Sequence, residues 1–238
     1  MKNFNRRFFL KGVSISFLPL VKTAYSSDAS INQLSINKQD VFLIIDMQYD
    51  FCPGGSLAVK DGDSIIPRIN TIQKRFENII LSQDWHPKEH SSFFSSHEGK
   101  EPFSTIKMPY GEQTLWPPHC IMGTKGAEFH KELDVSNARM IVRKGFRKEI
   151  DSYSAFWEND KTTPTGLDGA LKTMGIKRVF ICGLALDFCV AYSAIDSVIA
   201  GYDTFVIEDI SKPVNLPGSI EATYKAFDKY GVKRILST

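Results

Sequence analysis

Four potential metal ligands stand out in this 238-residue chain. Asp84, His86 and His90 lie close together after an apolar run, and His119 follows in the segment 116–120. A carboxylate oxygen and imidazole nitrogens together suit a divalent cation such as zinc, iron or manganese. The spacing predicts a metal-dependent enzyme. The alternative is that these are ordinary loop or packing residues, since half-buried histidines are common.

Three further residues have the types needed for nucleophilic catalysis. Asp46 and Lys144 each follow an apolar run, and Cys189 comes shortly after a third run. A thiolate is stabilised at a helix N-terminus and beside a lysine. A neighbouring carboxylate could take the thiol proton and return it to a leaving group.

Each of these three residues also has an ordinary interpretation when taken alone. Asp46 could cap a turn, Lys144 could be a solvated charge, and Cys189 could be a small core residue. The hypothesis of a catalytic site therefore rests on the three occurring together.

The elements that would position these residues alternate along the chain. Apolar, β-rich runs typical of strands buried on both faces lie at 41–45, 79–81, 140–142, 179–182, 205–207 and 232–236. Helical patterns lie at 64–76, 165–174, 187–200 and 218–230. This alternation predicts an α/β fold, a three-layer α/β/α arrangement around a doubly wound, six-stranded, mainly parallel sheet. Ligands of such sheets lie at the carboxyl ends of the strands, where Asp46, Lys144 and Cys189 fall.

The stretch 85–131 interrupts the alternation. It carries five prolines together with the histidines. Long ordered loops within compact domains are usually functional, so we expect this stretch to contribute to the site.

Composition indicates one globular domain and a small-molecule partner. Hydrophobic residues make up 42% of the chain and charged residues 24%, with a formal net charge of +2. The charge gives no reason to expect binding to nucleic acid. We assign the domain to residues 41–238, after an N-terminal extension at 28–40. The sequence leaves open whether the protein forms a homo-oligomer.

Residues 1–27 are typical of a twin-arginine export signal. Arg6 and Arg7 precede an apolar stretch at 12–21, which is too short to span a bilayer, and small polar residues follow. A basic amphipathic helix is the alternative. The signal predicts recognition by the twin-arginine export machinery, a periplasmic or secreted protein and no stable membrane anchor. If the signal is not used, the protein would stay in the cytoplasm.

The chain has four cysteines, at positions 52, 120, 182 and 189. Their spacing matches no small disulfide scaffold, and a domain of this size needs no such crosslinks. We expect at least one free cysteine, while the others could pair in an oxidising compartment.

Six segments, in this order, resemble nicotinamidases, the pyrazinamide-hydrolysing amidases of the isochorismatase-like cysteine hydrolase superfamily. They are IIDMQYDFCPGGSL (44–57), SQDWHP (82–87), WPPHC (116–120), RKG (143–145), DSYSAF (151–156) and GLALDFCV (183–190). The resemblance extends from about residue 41 to the C-terminus. It implies an isochorismatase-like hydrolase fold and hydrolysis of nicotinamide to nicotinate and ammonia through a thioester, as part of NAD salvage. It also implies hydrolysis of pyrazinamide to pyrazinoate.

The resemblance also implies roles for individual residues. Asp46, Lys144 and Cys189 match the catalytic triad of the family, and the backbone amides of Ala185 and Cys189 match its oxyanion hole. The Leu184–Ala185 peptide matches a bond that is cis in the family.

The metal ligands implied by the resemblance are Asp84, His86, His90 and His119, with waters completing an octahedral site around one divalent ion, Zn, Fe or Mn. The metal would bind the pyridine nitrogen of the substrate and orient the ring. Phe51, Trp116 and Tyr153 match aromatic residues that pack around the ring; ordinary core packing is the alternative for each.

Two positions depart from the family pattern. Leu186 stands where many members carry threonine, and Phe188 occupies a position that varies in the family. We expect neither to touch the triad, so that the departures affect substrate preference.

Two other functions remain open. One is a carbamoyl- or ureido-amidase of the same superfamily, which would use the cysteine without a metal. The other is an exported metal- or ligand-binding protein without enzymatic activity, although such a protein has no need for a nucleophile with an acid-base partner.

The export signal leads to the first prediction. Residues 1–35 fused to a folded reporter should carry it out of the cytoplasm, because the twin-arginine system transports folded proteins. The double change Arg6→Lys and Arg7→Lys should abolish export, as measured by fractionation. Equal export of the lysine variant would contradict the prediction.

Overall fold

A six-stranded sheet, parallel throughout, forms the centre of the computed structural model, which describes residues 29–238. Its strands are β1 (Asp40–Ile45), β2 (Asn78–Asp84), β5 (Met140–Lys144), β6 (Arg178–Leu184), β7 (Asp203–Lys212) and β8 (Lys233–Ile235). They are ordered β5-β2-β1-β6-β7-β8. The six predicted strands and the three-layer α/β/α fold are thereby confirmed. The predicted export signal lies outside the described residues.

Four α-helices connect these strands. They are α1 (Ile66–Ile72), α2 (Leu167–Thr173), α3 (Ala191–Ile199) and α4 (Ser219–Tyr230). Short 3-10 turns lengthen α1 at both ends, and a π-helical turn, Leu186–Val190, leads directly into α3. Each helix therefore falls within the range predicted for it. Among residues 29–238, no helix combines the length and the hydrophobicity needed to cross a bilayer.

The continuous apolar runs of the central strands follow from their burial. Every residue of β1 and β2 is buried, so neither strand can alternate polar and apolar side chains. A row of aromatic rings packs the sheet near its amino end: Phe42 contacts Phe76, Phe76 contacts Phe180, and Phe180 stacks on Phe205, with ring centroids 4.7–5.2 Å apart.

The order of the strands creates the crevice. The chain moves outward from β1 through β2 to β5 on one side, and from β6 through β7 to β8 on the other. A crevice opens at the carboxyl ends of the strands where this direction reverses. Asp46 follows β1, and Asp84 and Lys144 are paired at the ends of β2 and β5. Parallel pairing therefore brings residues that are far apart in sequence to one edge.

The interpretation of 85–131 as a long ordered loop is wrong for one part of it. Strands β3 (Thr105–Met108) and β4 (Gly111–Thr114) form an antiparallel hairpin. Its residues are largely polar and mostly exposed or half-buried, so no apolar alternation marks them as strands. The exception is Gln113, which is fully buried and points toward the site described below.

The described part of the N-terminal extension packs against the domain. Ser30 bridges to Leu236, and the Ile31 side chain is fully buried. Arg75 donates hydrogen bonds to the carbonyl oxygens of Ile31 and Leu34. These contacts attach residues 30–34 to the domain just beyond β8.

Candidate active site

Lys144 is the centre of the predicted triad. Its side chain is fully buried at the end of β5. The ammonium nitrogen lies 2.8 Å from Asp46 Oδ2, 2.5 Å from Asp84 Oδ1 and 3.5 Å from Cys189 Sγ, and it donates to the Ser152 carbonyl oxygen at 3.0 Å. One buried cation therefore contacts both the proposed base and nucleophile and one of the proposed metal ligands.

The charge of Lys144 is sustained by its neighbours. Burial lowers the pKa of Lys144, but Asp46 and Asp84 outweigh burial and raise it well above its ordinary value. The same interactions act on Asp84: burial raises its pKa, but Lys144 and His86 bring it well below the usual range. The site thus holds an ammonium beside an ionised Asp84.

Asp46 occupies a constrained position directly after β1. Its φ of 47° lies in the left-handed region, which aspartate tolerates better than most residues. The Ser82 hydroxyl donates to Asp46 Oδ1 at 2.6 Å, which orients the carboxylate. Burial raises the pKa of Asp46, and Lys144 opposes that rise only in part. A raised pKa makes this carboxylate a stronger base than an exposed aspartate.

Cys189 lies in the π-helical turn that follows β6, 7% exposed and close to Asp46 and Asp84. We expected the helix terminus and the lysine to favour its thiolate. Lys144 does lower the pKa of Cys189, but burial is the larger effect and the pKa is raised well above its usual value. Burial therefore favours the protonated thiol, and the activation predicted from the sequence depends on the carboxylate that takes its proton. The thiol must lose its proton as it reacts, which requires a base such as Asp46.

Three of the four predicted metal ligands form one cluster. The ligand atoms of Asp84, His86 and His119 all lie within 4.8 Å of one another. His86 Nδ1 lies 2.8 Å from the Gly145 carbonyl oxygen, and His119 Nδ1 lies 2.8 Å from that of Pro117. With each Nδ1 donating to a carbonyl, the Nε2 lone pairs are free and lie 3.4 Å and 3.6 Å from Asp84 Oδ2. The residues present fit a divalent metal.

The fourth predicted ligand, His90, lies beside the metal cluster against His86 and is not part of it. Their ring centroids are 4.5 Å apart, and His90 also forms a group with His86 and Asp151 whose ligand atoms lie within 4.8 Å. Burial and His86 lower the pKa of His90 to about 4. The ring is therefore neutral at neutral pH, which is the state that binds a metal.

A narrow pocket opens beside the cysteine. It is lined by Phe51, Leu57, Asp84, Trp116, His119, Asp151, Tyr153, Ala185, Phe188, Cys189 and Val214. All three predicted aromatic residues are among them, as are the nucleophile and two metal-ligand candidates. The Leu184–Ala185 peptide, which precedes the turn, is cis.

Phe188 belongs to the same aromatic wall. Its ring lies 4.8 Å from Trp116 and 5.6 Å from Tyr153, both in edge-to-face contact. The Trp116 indole nitrogen donates to the Tyr153 hydroxyl at 3.1 Å, which holds the two rings together. The departure from the family pattern at Phe188 predicts an effect on substrate preference. Because Phe188 lines the pocket, it is in a position to affect which substrates enter.

Several supporting residues were not found from the sequence. Asp151 lines the pocket, 3% exposed, and Gln113 donates both to Asp151 Oδ2 and to the Tyr153 hydroxyl, at 2.9 Å and 2.8 Å. Asp151 lay within a segment that matched the family, but nothing marked its role. Ser82 and Gln113 are common polar residues without distinctive spacing, so only their buried contacts reveal them.

None of the four cysteines is in a disulfide, and all four are buried. The expectation of at least one free cysteine is confirmed.

Comparison with known proteins agrees with this geometry. The family model for the isochorismatase domain matches residues 40–233, which is most of the chain. This chain belongs to the isochorismatase family. The match begins at the first residue of β1 and ends at the first residue of β8, so the isochorismatase domain includes the entire site.

Members of the isochorismatase family with named activities are similar over nearly their full length. A nicotinamidase of Acinetobacter baylyi is 50% identical over 195 residues, covering 82% of this chain and 91% of the relative. The solved nicotinamidase/pyrazinamidase of Acinetobacter baumanii is 51% identical, with a TM-score of 0.84 over 84% of this chain and 97% of that one. The pyrazinamidase of Pyrococcus horikoshii, solved in complex with zinc, is 32% identical with a TM-score of 0.68, over 83% and 99% of the respective chains.

Gly145 leads to a prediction about the metal cluster. A Cβ at this position would lie 2.4 Å from His86 Cε1, and the φ of Gly145 is +65°. Gly145→Ala should therefore displace the imidazole and weaken metal binding about 10- to 100-fold, the usual effect of disturbing a ligand's supporting contacts. Metal affinity can be measured by competition with a chromophoric chelator.

Gly123→Ala is the matched control. Gly123 has a similar φ of +75°, but a Cβ there would meet nothing within 4 Å. It therefore carries the same backbone strain without the clash. Equal metal affinity in the folded Gly145 and Gly123 variants would rule out the proposed role of Gly145.

Proposed function

We propose that this protein is a nicotinamidase, which hydrolyses nicotinamide to nicotinate and ammonia and accepts pyrazinamide as a second substrate. The observation that carries the proposal is the position of Cys189 and Asp84 in one aromatic-lined pocket, both in contact with Lys144. A cysteine nucleophile and a metal cluster are thus close enough to act on opposite parts of one small ring. The nicotinamidases similar to this chain support that substrate.

The reaction begins at the thiol. Asp46 takes the proton from Cys189 Sγ as the sulfur attacks the carboxamide carbon, so that a C–S bond forms and negative charge moves to the carboxamide oxygen. The backbone amides of Ala185 and Cys189 are the proposed donors to this oxygen. The raised pKa of Asp46 suits it to accept the proton, because a general base becomes more effective as its pKa rises toward the working pH.

The second half of the reaction regenerates the enzyme. Asp46 returns the proton to the amide nitrogen, the C–N bond breaks, and ammonia leaves a thioester on Cys189. Asp46, again ionised, then takes a proton from water as the water oxygen attacks the thioester carbon. The C–S bond then breaks, Asp46 returns this proton to the sulfur, and the released nicotinic acid gives up its own proton to ammonia or solvent and leaves as nicotinate.

Lys144 keeps the charge of the site balanced throughout. Its ammonium lies between Asp46 and Asp84 and contacts Cys189, all in a buried environment where unpaired charges are costly. When the proton moves from the thiol to Asp46, negative charge leaves Asp46 and develops on the sulfur, a second neighbour of Lys144, before it passes to the carboxamide oxygen. The lysine therefore stabilises both states without changing its own protonation.

The substrate ring would lie between the aromatic wall and the metal cluster. Phe51, Trp116, Tyr153 and Phe188 offer faces and edges that suit a flat, mainly apolar ring. Asp84, His86 and His119, with His90 beside them, would hold a divalent ion, whose chemistry is to bind the pyridine nitrogen and orient the ring. Zn, Fe and Mn all suit these donors.

The cellular setting is part of the proposal. The arginine pair and apolar stretch within residues 1–27 support export by the twin-arginine machinery, and hence action in the periplasm or outside the cell. Without export, the same activity would serve NAD salvage in the cytoplasm. The export experiment described above separates these settings.

The central prediction concerns the nucleophile. Cys189→Ala should lower nicotinamide hydrolysis about a thousandfold or more, because no thioester can form. Release of ammonia and nicotinate from purified protein measures this loss. Cys182 is a buried cysteine in β6 that does not line the pocket, so Cys182→Ala is the matched control and should stay active. Full activity of Cys189→Ala would eliminate the mechanism.

Metal removal tests the alternative amidase. Dialysis against a strong chelator should abolish hydrolysis of nicotinamide, and adding back Zn, Fe or Mn should restore it, because ring orientation depends on the metal cluster. His86→Ala should reproduce the loss without recovery at ordinary metal concentrations. Hydrolysis that is indifferent to the chelator would instead favour a carbamoyl- or ureido-amidase.

A further inference from the structure

The turn that carries the nucleophile also carries a second buried carboxylate. Asp187 lies two residues before Cys189 and is 5% exposed. Its Oδ1 accepts a hydrogen bond from the Val214 amide at 2.9 Å. Its Oδ2 accepts one from the Asn215 amide at 2.9 Å and one from the Ser219 hydroxyl at 2.5 Å. Three donors from another part of the chain therefore converge on this one side chain.

The two amide donors belong to the segment between β7 and α4, and Ser219 is the first residue of α4. Val214 lines the pocket beside Cys189, whereas Asn215 is exposed and has a φ of 64°. Asparagine adopts this left-handed conformation more readily than most residues. The two amides bonded to Asp187 are those of the pocket-lining Val214 and of this neighbour, so the carboxylate holds the segment directly beside the pocket.

We propose that Asp187 is a positioning residue that fixes Val214 relative to Cys189 and thereby determines which ring substituents the pocket admits. The anchoring follows from the contacts of Asp187. The consequence for substrates rests on the proposed nicotinamidase function. The turn Leu186–Val190 then carries the nucleophile and the aromatic Phe188, and through Asp187 it also holds the Val214 segment that lines the same pocket.

Asp187→Asn tests the anchor with almost no change in size. A carboxylate can accept from both backbone amides, whereas an asparagine has one acceptor oxygen and an NH₂ group that would face a donor. At least one of the bonds to Val214 and Asn215 must therefore be lost. Ser219→Ala is a milder variant, since it removes the hydroxyl bond and leaves both amide bonds.

Asp196→Asn is the matched control. Asp196 is also a buried aspartate, 4% exposed, and lies on α3, which continues directly from the turn that carries Asp187. Its carboxylate pairs with Lys161 at 3.2 Å and does not line the catalytic pocket. A general loss of stability should affect both aspartate variants, whereas loss of the anchor should affect only Asp187→Asn.

The first measurement is hydrogen exchange of the peptide that covers 213–218, made without substrate. In Asp187→Asn we expect exchange of the Val214 and Asn215 amides to be at least about tenfold faster, with a smaller increase in Ser219→Ala and none in Asp196→Asn. Unchanged exchange in Asp187→Asn would overturn the anchor. This result does not depend on the identity of the substrate.

The second measurement is selectivity between nicotinamide and its ring-methylated derivatives. In Asp187→Asn we expect a higher KM for nicotinamide, kcat within about threefold of the wild type, and about tenfold lower discrimination against at least one methylated ring. Val214→Ala should show the same loss of discrimination, and adding Asp187→Asn to it should have little further effect. A fall in kcat with unchanged selectivity would overturn the positioning role.

The two measurements separate the proposals. If the wild type hydrolyses neither nicotinamide nor its derivatives, the proposed function fails, while the exchange result still decides the anchor. If the wild type is active and exchange in Asp187→Asn is unchanged, the anchor fails and the nicotinamidase proposal stands.

Discussion

One buried ammonium is the constraint on which the site depends. Lys144 is fully buried and contacts Asp46, Asp84 and Cys189, so its charge offsets two carboxylates that would otherwise repel each other in a dry environment. Removing the lysine would leave both acids without their shared partner. The pairing of β2 with β5 is what makes this contact possible, because it places Asp84 and Lys144 opposite each other at the ends of adjacent strands.

Asp84 connects the two halves of the site. One carboxylate oxygen contacts Lys144, and the other faces the Nε2 atoms of His86 and His119. The proposed catalytic triad and metal cluster are therefore not independent units that happen to share a pocket. A change in the charge at either half acts on the other through this side chain, so the proposed chemistry at Cys189 and the proposed binding of a nitrogen heterocycle are coupled.

The structure alters the chemical interpretation of the cysteine. Sequence position alone favours a stabilised thiolate, since a lysine and a helix terminus are nearby. Burial of Cys189 outweighs the lysine, and its pKa rises. The proposed activation therefore depends on Asp46, the base already expected from the sequence, whose own pKa is raised by burial. The degree of burial of Cys189 depends on how the π-helical turn packs against the aromatic wall. The order of residues along the sequence does not reveal this packing.

The sequence by itself determined the strands, the family and the residue types of the site. Runs of apolar residues long enough for buried strands are a local property, and the motifs around Asp46, Asp84 and Cys189 are contiguous. Tertiary structure alone decided the supporting contacts. Gln113 reaches Asp151 from a polar hairpin, and Asp187 holds Val214 across 27 residues of chain. Such contacts join common polar residues that have no periodicity or spacing to mark them, so only the folded chain, which brings distant segments within hydrogen-bonding distance, reveals them.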